Sequence, residues 1–549
     1  MSQLPRDLQE AAAALQRGDG GEAERICRAI LARDPGRFEA LYFLGIAAGQ
    51  GRRTEEALHW FSRAVEAQPR NADAQYNLGV ALGETGRHAD ALAAYERALA
   101  IDPARADAHY NRGVSLDALE RPPEALAAYE RAVAIQPRHV EAHHNMGVAL
   151  ARLGRPAEAL AAFDRALALR PGHAGAHLHR AVALNDLGRP EDALAACERA
   201  LALSPRQASA WYIRGNALRE LQRLPEAVES FERCLALEPG NAQAHWNLAD
   251  CLLLQGDFAR GWEHYAWRSK VAGRREFAQP LWTGDEPVEG RTMLLHAELG
   301  LGDTLQFSRY VAEVADMGAR VVLEAQRPLL PLLRTLEGVG TWVARGDPLP
   351  AFDLHCPLMS LPWTLRSRLR EVPARVPYLR SDPARVAAWR ERLGERRGPR
   401  VGFVWSGSQG LANDKRSAAL GQLLPALRRG IDWVGLQKEA PPGDRDLLAR
   451  HEGIRDFSAH LSDFAETAAA VELLDLLVTV DTSIAHVAGA LAKPVWILLP
   501  HGSHDWRWLL EREDSVWYPT ARLLRQPSPG DWESVARRVH EELGRAFDV

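Results

Sequence analysis

The sequence predicts an α-helical repeat array followed by a doubly wound α/β region, and three observations carry that reading. Prolines recur at Pro35, Pro69, Pro103, Pro137, Pro171, Pro205 and Pro239, each 34 residues from the next. The period stops before an apolar run at 292–296. From there apolar runs of strand length alternate with helical patterns, the mark of a mostly parallel sheet.

Within each 34-residue unit, apolar residues spaced by three and four give two amphipathic helices, and the proline, unable to continue a helix, closes the second. A small residue recurs where the two helices must approach closely (Gly45, Gly79, Gly113, Gly147, Gly215). An alanine follows (Ala57, Ala91, Ala125, Ala159, Ala193, Ala227), and four residues later often a ring: Phe61, Tyr95, Tyr129, Phe163, Phe231. The pattern resembles the tetratricopeptide repeat over residues 4–275, as seven full units and an atypical eighth at 242–275 that lacks the closing proline. The resemblance implies an α superhelix whose first helices line a groove for an extended partner, a protein or peptide. Asn77, Asn111, Asn145 and Asn247 recur on the first helix. Such a column is similar to the asparagine ladder of O-linked N-acetylglucosamine transferases, which implies a peptide groove; equally, Asn is a consensus residue that satisfies neighbouring backbone. His109, His143, His177 and His245 fall at a ring position and read as packing residues rather than metal ligands.

The second region reads as two Rossmann-like halves, 276–378 and 399–549, joined by a polar linker at 379–398. Strand-like runs lie at 292–296, 320–324, 400–405, 432–436, 473–480 and 495–499. Ligands of such sheets bind beyond the carboxyl ends of the strands. The first run is followed by the turn Glu298-Leu299-Gly300-Leu301-Gly302-Asp303, opening a helix that carries Gln306 and Arg309. Glu298, Gly302, Gln306 and Arg309 are therefore candidate acceptor or cleft residues. Asp303 faces a cleft or caps the helix, and position leaves both open. Ser406 and Gly407, then Lys415 and Arg416, combine small residues with cations as a diphosphate site requires. Gln437 and Lys438, after the fourth run, join this donor set, as does Asp505 in the closing segment 501–508. Asp481, Thr482, Ser483 and His486 place a strand end, a helix N-terminus and an imidazole one turn in, an anion-binding arrangement.

The Gly302-Asp303 turn together with DTSIAHVAGALAKPVW at 481–496 resembles glycosyltransferase family 9, the ADP-heptose lipopolysaccharide heptosyltransferase group. The resemblance implies the two-domain GT-B fold, a nucleotide-diphosphate sugar as co-substrate without other cofactor, and sugar transfer with inversion and without a metal. It implies Asp303 as base, Lys415 at the donor, and Asp481, Thr482, Ser483 and His486 as the donor motif, with Ser483 where the family carries Gly. Asp444-Arg445-Asp446 looks like a metal-binding Asp-x-Asp but follows Pro441-Pro442-Gly443 and reads as a helix start, so no metal is expected. The alternative is a non-catalytic interaction scaffold with a degenerate α/β region.

Charge and composition narrow the classes. Lys and Arg total 67 against 72 Asp and Glu, with no basic excess in either half, which argues against nucleic acid. Five scattered cysteines without Cys-x-x-Cys spacing argue against a disulfide framework and a zinc site. The first residues lack a basic start and apolar run, and the stretch 471–500 is broken by Glu472, Asp475, Asp481, His486 and Lys493. A cytoplasmic protein without a transmembrane segment is expected.

Overall fold

The computed structural model describes residues 5–271, 273, 275–365, 375–407, 416–502 and 505–549. The chain divides into two compact units, 1–238 and 239–549.

The first unit is a run of helix pairs. From the second pair on, a 13-residue helix (Phe38–Gln50, Ala72–Glu84, Ala106–Ala118, Val140–Arg152, Ala174–Asp186, Ala208–Glu220) alternates with one of 14 residues (Thr54–Ala67, His88–Ile101, Pro122–Ile135, Pro156–Leu169, Pro190–Leu203, Leu224–Leu237). The recurring glycines are there because a ring lies on them. A β-carbon on Gly45, Gly79, Gly113, Gly147 or Gly215 would sit within 2.6 Å of the ring of Phe61, Tyr95, Tyr129, Phe163 or Phe231, respectively. Where the sixth unit carries Ala181 in place of Gly, it carries Cys197 in place of the ring, and both are fully buried. The periodic prolines hold their loops by a second device. The ring or amide nitrogen six residues on lies at the proline carbonyl: Gln75 at 3.0 Å from Pro69, His109 at 3.1 Å from Pro103, His143 at 3.0 Å from Pro137, His177 at 2.9 Å from Pro171 and Trp211 at 3.0 Å from Pro205. The recurring histidines are thus loop-locking residues.

The eighth repeat, assigned to the array by its periodicity, belongs to the second unit. Its helices Ala242–Leu254 and Phe258–Tyr265 pack there. Trp262 sits edge-on to Phe307 at 6.0 Å and to Trp506 at 5.1 Å, and Phe258 edge-on to Trp517 at 5.8 Å. The aromatic residues of this repeat make it part of the α/β core.

That core holds two parallel sheets. The first contains β1 (Thr292–His296), β2 (Arg320–Ala325), β3 (Val339–Ala344) and β4 (Leu354–Pro357), in the order β3-β2-β1-β4. The second contains β5 (Arg400–Val404), β6 (Asp432–Gly435), β7 (Ile454–Asp456), β8 (Leu476–Val480), β9 (Val495–Leu499) and β10 (Ala521–Arg525), in the order β10-β9-β8-β5-β6-β7. The strands β3, β4, β7 and β10 were not among the sequence runs, because they are short or edge strands with polar residues such as Arg455 and Arg522. The segment 379–398, read as a polar linker, instead contains the helix Pro383–Leu393. Trp389 on it is fully buried and donates from Nε1 to Glu466 at 2.6 Å, and Arg385 pairs with Asp463 and Glu466. Its charge is that of a helix packed by ion pairs rather than of a free connector. All five cysteines are buried free thiols, and burial pushes Cys27 and Cys234 up to about 11.

Candidate active site

Each sheet begins at an inner strand, runs outward on one side, then crosses to the other. The crossings put topological switch points between β1 and β4 and between β5 and β8, where the loops diverge and leave a crevice for ligands.

At the second switch point β8 ends at Val480, Asp481 follows it, and Thr482 precedes the helix Ser483–Ala490. The Thr482 side chain makes no cap, so the first amides of this helix stay available to an anion. Asp481 is buried, and its Oδ2 has no hydrogen-bond partner among the described residues. Burial, and then the Asp505 charge, push its carboxyl up to about 7, against the pull of Arg416 and Arg507. His486 is buried one turn into the helix, with Nδ1 2.9 Å from the Tyr518 hydroxyl and its ring stacked on Trp508 at 5.7 Å. Burial and the Arg507 charge push it down to about 3, so the ring is neutral at pH 7.

The first switch point contributes the helix Leu301–Phe307. Gly302 is pressed against the second half: a β-carbon there would lie 2.8 Å from His486 Cδ2. Asp303 accepts the Gly300 N–H on Oδ2 at 2.7 Å and pairs through Oδ1 with Arg507. It is therefore both the helix cap and one end of a bridge between the halves. Arg507 is buried and also donates to Gln306 Oε1 at 2.6 Å and to Asp505 at 3.1 and 3.2 Å. This arginine was not singled out from sequence, since it stands in a tryptophan-rich segment of an arginine-rich chain. Asp505, half-buried, is held below the usual carboxylate range by Arg507 against the cost of desolvation.

Several expected contacts are corrected. Arg309 does not line the cleft; it is buried, with its guanidinium 4.7–5.4 Å from the rings of Tyr378, Trp517 and Tyr518 and Nη1 donating to the Trp517 carbonyl at 2.9 Å. Gln306 is wholly buried and supports Arg507 rather than an acceptor. Among the described residues after β5, the amides of Trp405, Ser406 and Gly407 are not free for phosphate. Trp405 and Ser406 donate to Gln437 Oε1 at 3.1 and 3.0 Å, and Gly407 donates to Ser417 Oγ at 2.9 Å. Gln437 Nε2 in turn donates to the Ser406 and Glu439 carbonyls, both at 3.0 Å, so Gln437 braces this loop from behind. Lys438 is exposed, and Lys415 lies outside the described residues. Asp444 accepts from Trp405 Nε1 at 2.8 Å and from Leu420 N at 3.1 Å, as a residue in the first turn of the helix Pro442–Arg450.

Glu298 lines a cavity of about 160 Å³ at the first switch point, together with Trp246, Arg268, His296 and Arg345. Arg268 is buried, pairs with Glu298 and donates to Ser360 Oγ at 2.8 Å. Trp246 comes from the eighth repeat, so repeat and α/β elements share this cavity.

The asparagine column is engaged within the protein. Asn77, Asn111 and Asn145 donate from Nδ2 to the hydroxyls of Tyr42, Tyr76 and Tyr110 at 2.7, 3.0 and 3.3 Å. Asn247 is buried in the second unit and accepts from Gln243 at 3.4 Å. Asn77, Asn111 and Asn145 brace neighbouring units and Asn247 is held within its own helix, which corrects their reading as an open peptide ladder.

The tetratricopeptide repeat family model matches residues 8–72, 47–106, 76–140, 144–208, 186–242 and 212–266. Protein FlbA of Caulobacter vibrioides is 29% identical over 331 residues, 54% of this chain and 54% of FlbA; the chain thus spans about half the length of that curated relative. Among solved structures, YrrB is 24% identical over 34% of this chain and 95% of its own, with a TM-score of 0.31. MamA is 28% identical over 29% and 94%, with a TM-score of 0.29. With the 34-residue period and the helix pairs, the family match makes the amino-terminal part of this chain a tetratricopeptide repeat array.

Proposed function

We propose that residues 239–549 are a GT-B-type glycosyltransferase that moves a sugar from a nucleotide diphosphate to an acceptor hydroxyl, with the repeat array holding a protein acceptor or partner. The observation that carries this reading is the meeting of the two switch-point helices. Gly302 abuts His486, and Asp303 is tied through Arg507 to Asp505, so one residue set spans both sheets. The diphosphate would lie at the helix beginning at Ser483, where uncapped amides and Arg416 offset the charge that develops on the leaving group. Asp303 would take the proton of the acceptor hydroxyl, using carboxylate lone pairs left beyond its bonds to Gly300 and Arg507. Attack opposite the departing diphosphate inverts the anomeric centre. The cavity beside Glu298 and Trp246 is the acceptor subsite in this reading.

A second reading, a non-catalytic scaffold, is favoured by one observation: among the described residues after β5, the amides of Trp405, Ser406 and Gly407 are engaged within the protein. Thermal-shift screening of the full chain against nucleotide sugars separates the two, since a ligand that binds the native state raises its apparent stability. A donor that raises the melting temperature and is consumed supports the transferase. No shift and no donor consumption across uridine, guanosine, adenosine and cytidine diphosphate sugars supports the scaffold.

A further inference from the structure

Among the described residues, one group of side chains offers three metal-ligand atoms together, and it lies in the repeat array. Glu141 and His144 are on the helix Val140–Arg152, and His173 is the N-cap of the helix Ala174–Asp186 in the next unit. One donor atom from each lies within 4.8 Å of the others, and all three residues are half-buried. We propose that Glu141, His144 and His173 form a transition-metal site that takes Zn2+ through two imidazoles and one carboxylate, with a fourth position left to solvent.

The repeat supplies its own controls. His144 occupies the register that holds Tyr42, Tyr76 and Tyr110 in the preceding units. One unit earlier an Asp107–His139 pair stands where Glu141–His173 stands here, with His139 Nε2 3.8 Å from Asp107, but the third residue is Tyr110. Only the exchange of tyrosine for histidine completes a three-donor set. The asparagine that would bond that tyrosine has changed as well: the register of Asn77, Asn111 and Asn145 holds His179, whose ring lies 5.3 Å from that of His144.

His144 is set up as a ligand. Its Nδ1 lies 3.1 Å from Asn145 Oδ1, which puts the ring proton on Nδ1 and leaves the Nε2 lone pair bare. That Nε2 is buried with no hydrogen-bond partner among the described residues. His173 Nε2 is 3.1 Å from Glu141 Oε2, already near the separation of about 3.3 Å that two donors adopt on one tetrahedral zinc. His144 closes the remaining distance by side-chain rotation.

On binding, the proton shared by His173 Nε2 and Glu141 is displaced and Nδ1 becomes the protonated nitrogen. The Ala176 N–H, which now points to that Nδ1 at 3.1 Å, keeps its bond to the His173 carbonyl at 3.1 Å. Arg170 stays on the other carboxylate oxygen of Glu141, at 2.5 Å, and orients it. Imidazole with carboxylate suits zinc among the available dications, and three protein ligands leave its fourth position open.

The test uses the untagged full chain, Zn2+ in competition with a chromogenic chelator, and Co2+ as a visible-absorption probe. His144→Tyr restores the side chain used at this register in four other units, and His173→Asn restores the cap made by Asn71 and Asn241, so both variants fold. The wild-type chain should hold one Zn2+ that His144→Tyr and His173→Asn weaken by a hundredfold or more, with loss of the Co2+ d–d bands. His143→Gln, which copies Gln75 and leaves the three ligands intact, should bind as wild type. Equal zinc affinity in wild type and His144→Tyr, or no zinc retained by the wild type against the chelator, overturns the site.

Discussion

Arg507 lies between two carboxylates from opposite halves of the α/β unit, paired with Asp303 on one side and with Asp505 at 3.1 Å on the other. A buried guanidinium so placed is compensated only while both partners remain. Arg507→Met removes the cation and leaves two carboxylates facing each other. It should lower the unfolding free energy of the α/β unit by about 3–5 kcal/mol, measured as a denaturant midpoint. A midpoint unchanged from wild type would mean the bridge is not formed in solution.

Asp303→Asn separates chemistry from structure. It keeps an acceptor oxygen for the Gly300 amide while removing the base, so transfer should slow by about a hundredfold or more with donor affinity nearly unchanged. Because Asp303 also pairs with Arg507, a modest loss of melting temperature should accompany it. Turnover near wild type would reduce Asp303 to cap and bridge, and would move the base elsewhere.

Two buried groups set opposing pH slopes. Asp481 is raised to about 7, so the folded state holds a proton that the unfolded state loses near pH 4, and this contribution to stability falls as pH rises from about 4 to 7. His486 is lowered to about 3, so its contribution is present above about 6.5 and is lost as pH falls toward 3. Between pH 4 and 6.5 the slopes, each at most about 1.4 kcal/mol per pH unit, offset one another. Asp481→Asn should expose the His486 slope, making stability rise with pH in that window, and should exceed wild type in stability at pH 8. His486→Phe should expose the opposite slope. Parallel pH profiles for wild type and both variants would contradict this assignment.

The glycine and the ring across each helix pair are one unit of packing. Gly215→Ala puts a β-carbon about 2.6 Å from Phe231 Cε1 and should destabilise by about 1–3 kcal/mol. In a Phe231→Cys background, which copies the Ala181 and Cys197 pair, the same change should have little further effect. A double-mutant cycle that comes out additive would refute the coupling.

A fragment ending at residue 238 should be helical by circular dichroism and unfold cooperatively, whereas one ending at 275 carries Phe258, Trp262 and Tyr265 without Phe307, Trp506 and Trp517 to cover them. The longer fragment should associate on sizing chromatography. A monodisperse 1–275 fragment beside an unfolded 1–238 fragment would restore the boundary suggested by periodicity.

The repeat array was readable in the sequence because its determinants are local. A 34-residue period sets helix length, loop position and which residue meets a ring, and each contact falls within one unit or its neighbour, as Gly215 meets Phe231. The strands β1, β5 and β9 and the turn at Asp481–His486 were also legible, since buried parallel strands leave unbroken apolar runs. The tertiary structure alone decided what those residues do. Arg309 and Gln306 share one short helical stretch with Asp303, yet partners some 200 residues away turned them inward, through the Trp517 carbonyl and Arg507. The eighth repeat kept its period but changed allegiance, because its aromatic residues found a larger apolar surface in the α/β core. Likewise Glu141 and His144 stand one helical turn apart, but His173 lies on the next unit with no fixed spacing to them; stacking of the repeats brings the three donor atoms together. Period and burial pattern follow from nearest-neighbour physics, whereas charge pairing and ligand sets depend on long-range contacts that spacing along the chain does not encode.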